Sequence, residues 1–301
     1  MIACQAARST QDPKLAARNL GEFAPGAHHQ AVKVTMSRFT DPQYLKTAQY
    51  KDSSNLDARV EIHKRFSTNP HGWMPWVFDH LLVMPANAKI LELGCGPGYL
   101  WKENASRIPP AWDITLSDLS AGMIDSAWRN LVVTGRSYKF KEIDAQEIPF
   151  EDGTFDAVIA NHMLYHVPDR PKALAEIRRV LKDDGQLMAA TVGGNHLNEM
   201  GAWIRRASME PRQGKFTQLF TLENGGDQLR AFFSNVTVDR YEDNLKVTEV
   251  APLLDYVRSM ISVEQLSIEE LAKLEGEFQD MLTKDGEIFI TKDSGLFEAK
   301  K

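Results

Sequence analysis

The sequence predicts an α/β fold. Its centre is a doubly wound, mostly parallel sheet of seven strands with helices on both faces, and it carries an N-terminal helical lid and a small cap insertion. Three observations carry this reading. Apolar strand-like runs alternate with amphipathic helical runs from residue 87 to 194, a pattern that right-handed crossovers fold into a parallel sheet covered on both sides. The first run opens directly into ILELGCGPGYL, residues 90–100, with glycines at 94, 96 and 98. Carboxylates recur at even spacing in or just after the first three strands, as Glu92, Asp118 and Asp144. That is the edge at which open α/β sheets bind ligands.

The elements follow in order. Residues 1–37 are rich in Ala and polar residues without sustained periodicity and are expected to form a disordered extension. No apolar h-region is present, and Asp12 and Glu22 argue against a transit peptide. Residues 38–86 form the lid. In it, Asn55 to Ser67 sets Leu56, Val60, Ile62 and Phe66 near helical spacing, and a shorter helical run ends near Pro85. The core, 87–194, reads as strand Lys89–Leu93, helix Tyr99–Ile108 stopped by Pro109 and Pro110, and strand Trp112–Ser117. Ser120 caps a helix Ala121–Thr134 that ends at Gly135. Strands Tyr138–Ile143 and Phe155–Ala160 come next, then a helix capped by Asp169 that runs to Leu181 and stops at Gly185, then strand Gln186–Val192. The cap, 195–225, contains Trp203, Arg205 and Arg206, the arginines reading as a solvated helix face, with pairing to an acidic substrate as the alternative. Residues 226–301 complete the sheet, with helix Asp227–Phe233, strand Val236–Val247, helices Pro252–Met260 and Ser267–Leu282, and a closing strand Glu287–Thr291. The amphipathic stretch LSIEELAKLEGEFQDML is expected to pack on the sheet rather than form a dimer surface.

Composition is that of an ordinary globular chain: 43% hydrophobic, 25% charged, formal net charge −6. No basic excess points to nucleic acid. No apolar run approaches the roughly 18 residues of a membrane span. Cys4 and Cys95 are the only cysteines, which speaks against a structural disulfide and, lacking companions at ligand spacing, against a metal site. A cytoplasmic monomer or homodimer is expected.

Gly94, Gly96 and Gly98 permit positive φ and close approach of a ligand, next to a helix N-terminus that favours negative charge. A dinucleotide fingerprint G-x-G-x-x-G would need glycine where Tyr99 stands. Asp118 can accept from both hydroxyls of a ribose, and Asp144 from an exocyclic amine, with the N–H groups of Ala145 and Gln146 facing ring nitrogens.

Taken together, ILELGCGPG, SDLSAGMI, IDAQEIPFEDGTFDAVIANHMLYHVPD and RVLKDDGQLM resemble the class I S-adenosylmethionine-dependent methyltransferases, in their small-molecule (methyltransferase type 11) branch, over residues 88–193. The resemblance implies a Rossmann-like core and S-adenosyl-L-methionine as cofactor, with S-adenosyl-L-homocysteine as product. It implies that Glu92 and the backbone at Gly94, Cys95 and Gly96 hold the methionine end. Asp118 would take the ribose, with Leu119 and Met123 flanking the adenine, and Asp144, Ala145 and Gln146 addressing its edge. Backbone at Asn161 would meet the amino group. His166 and His162 are the candidate general bases, and Tyr44, Tyr165 and Trp203 the candidate contacts to the acceptor. Of the lid aromatics, Tyr44, Tyr50, Phe66, Trp73 and Trp76 could close over the cofactor. The implied reaction moves a methyl to an O, N or C atom of a small-molecule acceptor by in-line displacement. A nicotinamide-dependent oxidoreductase and a non-catalytic S-adenosylmethionine-binding protein are the alternatives. A nucleic-acid amino-methylating enzyme is disfavoured because ANHML replaces its N-P-P-Y/F tetrad.

Overall fold

The computed structural model describes residues 38–208, 219–260 and 266–301. The expected disordered extension, Cys4 and part of the expected cap lie outside the described residues. A helical turn, Pro42–Tyr44, runs into a π-helical turn, Leu45–Gln49, followed by Ser54–Phe66 (α1) and Trp73–Leu81 (α2). The core then alternates Lys89–Leu93 (β1), Tyr99–Glu103 (α3), Asp113–Asp118 (β2), Ala121–Leu131 (α4), Lys139–Glu142 (β3), Phe155–Asn161 (β4), Arg170–Val180 (α5) and Leu181–Val192 (β5). Beyond it come Asn198–Ala207 (α6), Gly225–Arg230 (α7), Ser234–Tyr241 (β6), Asn244–Val247 (β7), Val250–Ser259 (α8), Ile268–Asp285 (α9), Ile288–Thr291 (β8) and Ser294–Lys300 (β9).

Seven strands form one sheet in the order β3-β2-β1-β4-β5-β9-β6, in which only β9 runs antiparallel to its neighbours. The central strands are apolar on both faces because both are covered. Leu91, Val158 and Leu187 meet α5 and α7 on one side, and Ile90, Ala157, Ile159 and Met188 meet α2, α3 and α4 on the other. Local signals set the helix starts: the Ser120 hydroxyl accepts from Met123 N–H and the Asp169 carboxylate from Lys172 N–H.

Three elements differ from expectation. The run 236–247 is two strands, because Asp243 between them accepts from the N–H groups of Asn69 and Asn244 and pairs with Lys292, which turns the chain out of the sheet. The run ending at Thr291 is β8. It pairs with β7 in a separate two-stranded sheet, while the strand that completes the large sheet is β9, in the weakly apolar SGLFEAK. The helix from Tyr99 ends at Glu103, where Asn104 turns its amide back to the carbonyls of Leu100 and Met74, and a 3-10 turn Ala105–Arg107 follows.

A third core unites α1, α6, α8, α9, β7 and β8 through Ile62, Trp203, Leu253, Phe278 and Ile290. It forms a roof facing the carboxyl ends of the sheet strands, and residues beyond 225 contribute most of it. Helix α9 opens with a capping box, Ser267 with Glu270, and buries Leu274 and Phe278 in this roof rather than on the large sheet. Phe278→Ala is therefore expected to lower the unfolding free energy by about 3–5 kcal/mol in urea denaturation. A loss below about 1 kcal/mol would show that the roof does not belong to the cooperative fold.

Candidate active site

Strand β1 leads into a loop in which Gly94, Gly96 and Gly98 hold φ of 66°, 53° and 75°. Each conformation is one that a side chain would strain. Space adds a second demand. A Cβ at Gly94 would lie 2.7 Å from Cβ of Met163, one at Gly96 3.3 Å from Leu56 of α1, and one at Gly98 2.9 Å from Leu131 of α4. The glycines thus let the loop sit under the lid and against the loop after β4, as well as near a ligand.

The loop is tied to β2. Cys95 N–H donates to Ser117 O (2.8 Å), Ser117 Oγ–H to Glu92 O (2.7 Å), and Gly96 N–H to Asp118 Oδ2 (3.0 Å). Ser120 N–H donates to the other oxygen, Oδ1, at 2.9 Å. Burial lifts the Asp118 carboxyl to about 6 even though the N–H groups of Ser120, Gly96 and Leu119 favour its anion. Glu92 is buried to 2% exposure, and burial raises it to about 7 against the opposing hydrogen bond from Trp101 Nε1–H (2.6 Å), with Asp118 adding repulsion. After β3, Asp144 accepts from Gln146 N–H (2.9 Å) and from the Gln146 side-chain amide.

Glu92, Gly94, Cys95, Gly96, Asp118 and Asp144 line one cavity of about 920 Å³ between sheet and roof. The cofactor-site candidates Glu92, Gly94, Cys95, Gly96, Asp118, Leu119, Met123, Asp144, Ala145, Gln146 and Asn161 all face it, as do His162, Tyr165 and His166. Two candidates do not. Trp203 packs into the roof core with its ring centroid 5.5 Å from that of Phe278, and Tyr44 lies outside the lining, with the Arg38 guanidinium over its ring. Their sequence signal was aromatic character alone, which a core satisfies as well as a pocket does.

The histidines are neutral. Burial pushes His162 and His166 down to about 4, with Lys292 adding to the first. His162 also holds a left-handed φ of 56° and lies 5.0 Å from the Trp73 ring, the kind of backbone strain that concentrates at functional sites. His166 bridges Phe39 O at Nδ1 (2.7 Å) and Tyr50 Oη at Nε2 (2.9 Å). The first contact requires Nδ1–H, so Nε2 accepts from the phenol.

Sequence reasoning missed Arg59, His63, His196, Tyr256 and Lys292, all cavity-lining. Leu56, Arg59, Val60 and His63 share one face of α1 by their spacing, a signal hidden beneath the apolar periodicity. Lys292 sits in the turn between β8 and β9, where no motif marks it.

A seven-stranded α/β sheet with a glycine loop pinned to an acid at the end of the second strand defines a nucleoside-cofactor enzyme class. Residues 91–189 match the family model described as methyltransferase domain. Human mitochondrial arginine-hydroxylase NDUFAF5 is 30% identical over 194 residues, which is 61% of this chain and 53% of that one. Malonyl-acyl-carrier protein O-methyltransferase from Geobacter sulfurreducens is 32% identical over 179 residues, 58% of this chain and 63% of that one. This chain thus spans little more than half the length of the curated relatives it matches. In fold it is similar to phosphoethanolamine N-methyltransferase 2 of Haemonchus contortus in complex with S-adenosyl-L-methionine (TM-score 0.54, 20% identity, 87% of this chain, 60% of that one). It is also similar to YcgJ of Bacillus subtilis (TM-score 0.52, 17% identity, 75% of this chain, 97% of that one). Residues 91–189 thus form a domain of the class I S-adenosylmethionine-dependent methyltransferase family. That family supersedes the nicotinamide alternative, and the register of the third dinucleotide glycine is filled by Tyr99, hydrogen-bonded to Asp57 of α1. Among the described residues no helix is long and apolar enough to cross a membrane, and no cluster of metal-ligating side chains occurs.

A carboxyl raised by burial takes up a proton on folding. Glu92 costs nothing below its ordinary 4.5, where it is protonated folded or unfolded, and costs stability progressively as pH rises toward about 7. Measured against Glu92→Gln, the wild-type protein is expected to lose stability from pH 4.5 to 7 in paired unfolding series. A difference that stays constant across that window would show that Glu92 is not raised.

Proposed function

We propose that this protein transfers the methyl group of S-adenosylmethionine to an O, N or C atom of a small-molecule acceptor. The observation that carries the reading is Asp118. Its Oδ2 takes the N–H of Gly96 and its Oδ1 that of Ser120, Leu119 N–H adds to them, and the carboxylate keeps acceptor capacity for a ribose diol. The residues present fit the cofactor elsewhere too. The Asn161 side-chain oxygen is buried without a hydrogen-bond partner, so a bound ammonium would find an acceptor there. Asp144 and the amides after it would address the adenine edge, with Leu119 and Met123 on its faces.

When bound, the cofactor supplies an activated methyl electrophile, so the chain's own work is orientation, exclusion of water and proton handling. The lid holds itself over the core through Ser120 Oγ–H donating to Tyr50 O (2.7 Å) and the contact of Leu56 with the glycine loop. For an acceptor that must lose a proton, Tyr50 and His166 form a relay. The acceptor's proton passes to Tyr50 Oη as the phenol's own proton moves to His166 Nε2, while Nδ1–H stays on Phe39 O. Deep burial, with Arg59 adding to it, lowers that imidazole to about 4, so Nε2 is unprotonated before transfer.

Calorimetric titration of S-adenosylhomocysteine is expected to show saturable binding, weakened in Asp118→Ala by about 1.5–3 kcal/mol per charged hydrogen bond removed, roughly tenfold to a hundredfold each. NADH and NADPH should give no heat. Unchanged affinity in the variant, or NADPH binding, would overturn the reading, and binding without transfer to any acceptor would favour a non-catalytic role. With an acceptor that must be deprotonated, Tyr50→Phe and His166→Gln should each lower kcat by about 10²–10⁴ and leave KM nearly unchanged in steady-state kinetics. An unchanged kcat would remove the relay.

A further inference from the structure

The cavity has two electrostatically different walls. Its acids, Glu92, Asp118 and Asp144, stand at the strand ends, and Glu103 closes α3. The rest of the lining carries Arg59 and Lys292 with the more exposed Lys46, Lys64 and Arg205, and three histidines, His63, His162 and His196, all held neutral by burial. Lys292 has its counter-ion in Asp243. Arg59 has none. It donates through Nη2 to Ser259 O, through Nε to Ser259 Oγ (3.1 Å) and through Nη1, at a long 3.5 Å, to Tyr50 Oη. Its other titratable neighbours are the neutral phenols of Tyr165 and Tyr256, and no carboxylate among the described residues pairs with it. A guanidinium has five N–H groups and never loses its charge. Part-buried with no carboxylate among the described residues beside it, it carries a desolvation cost that an entering anion offsets. A second group on the same wall is also unmet: His63, one helical turn further along α1, has its Nδ1 buried without a partner.

We propose that the methyl acceptor carries a carboxylate or phosphate and that Arg59 receives it, on the roof side of the cavity beside Tyr50, Tyr165 and Tyr256. This rests on the methyl-transfer reading above. The cofactor's own carboxylate is the other source of such an anion, and the position of Arg59 speaks against it. Leu56 is the α1 residue that meets the glycine loop, whereas Arg59, one turn on, is held toward the end of α8 by Ser259. The acid wall thus suits the sulfonium and the ribose, and the basic wall suits the acceptor.

The test uses the full chain saturated with S-adenosylhomocysteine. Benzoate and phenyl phosphate, with benzamide as the neutral control, are titrated while the melting temperature is followed. At least one acid should raise it in the wild type, benzamide should not, and Arg59→Gln should abolish the shift while Arg59→Lys keeps part of it. In parallel, S-adenosylhomocysteine is compared with 5′-methylthioadenosine, which lacks the amino-acid end. The preference for the former should be the same in wild type and Arg59→Gln, which also shows that the variant is folded. Loss of that preference in Arg59→Gln would assign Arg59 to the cofactor and overturn the proposal. So would equal shifts with acids and benzamide, no shift with either acid, or an acid shift that survives Arg59→Gln. Failure of the wild type to bind S-adenosylhomocysteine, seen before any acid is added, would remove the methyl-transfer reading and the proposal with it.

Discussion

The hydrogen bond from Gly96 N–H to the Asp118 carboxylate is the contact on which the rest of the site depends. It joins the loop after β1 to the end of β2, and with the Cys95–Ser117 bond it sets the height of that loop above the sheet. Asp118 is deep enough for burial to raise it, so its anion is sustained by backbone donors rather than by water. Those same donors leave outward lone pairs in a fixed direction. The glycines make this possible twice over: their positive φ turns the chain, and their missing side chains leave room for Met163 and Leu56. A loop pinned below and covered above is pre-organised, which is what a site that works by orientation needs.

Around this point the cavity is assembled from parts that the chain visits far apart. The sheet supplies acids at its strand ends and, from the loop after β4, His162, Tyr165 and His166, while α1, α8 and the β8–β9 turn supply Arg59, His63, Tyr256 and Lys292. Burial acts on the two walls in opposite senses. It lifts Glu92 and Asp118 toward neutrality and drives His162, His166 and His196 away from charge. The result is a space whose buried groups carry little charge, with Arg59 among its permanent cations and bound inward to Ser259. The imidazole of His166, clamped between a carbonyl and a phenol, is placed to move a proton along a hydrogen-bonded line rather than to reach the acceptor directly.

What could be read ahead of the structure follows from how local each signal is. The glycine loop, the acids after successive strands, and the helix caps at Ser120 and Asp169 are encoded within a few residues. Their geometry is dictated by backbone φ, by strand alternation and by a single side-chain hydrogen bond, and all but Asp169 lie around one cavity. Signals that rested on residue type alone did not carry position: Trp203 is as aromatic in a core as in a pocket, and it lies in the core. Strand β9 escaped because its neighbours β5 and β6, rather than its own modest apolar content, make it a strand.

The sequence by itself determined the class of fold, the family and the half of the cavity built from strand ends, because those features are written in contiguous motifs. The tertiary structure alone decided the other half. Arg59, His63, Tyr256 and Lys292 come from α1, α8 and the β8–β9 turn, and they share a wall only because the roof folds back over the sheet. Their meaning also depends on burial and on the absence or presence of a counter-ion. Those are properties of an environment assembled from distant segments, and no stretch of the chain carries them alone.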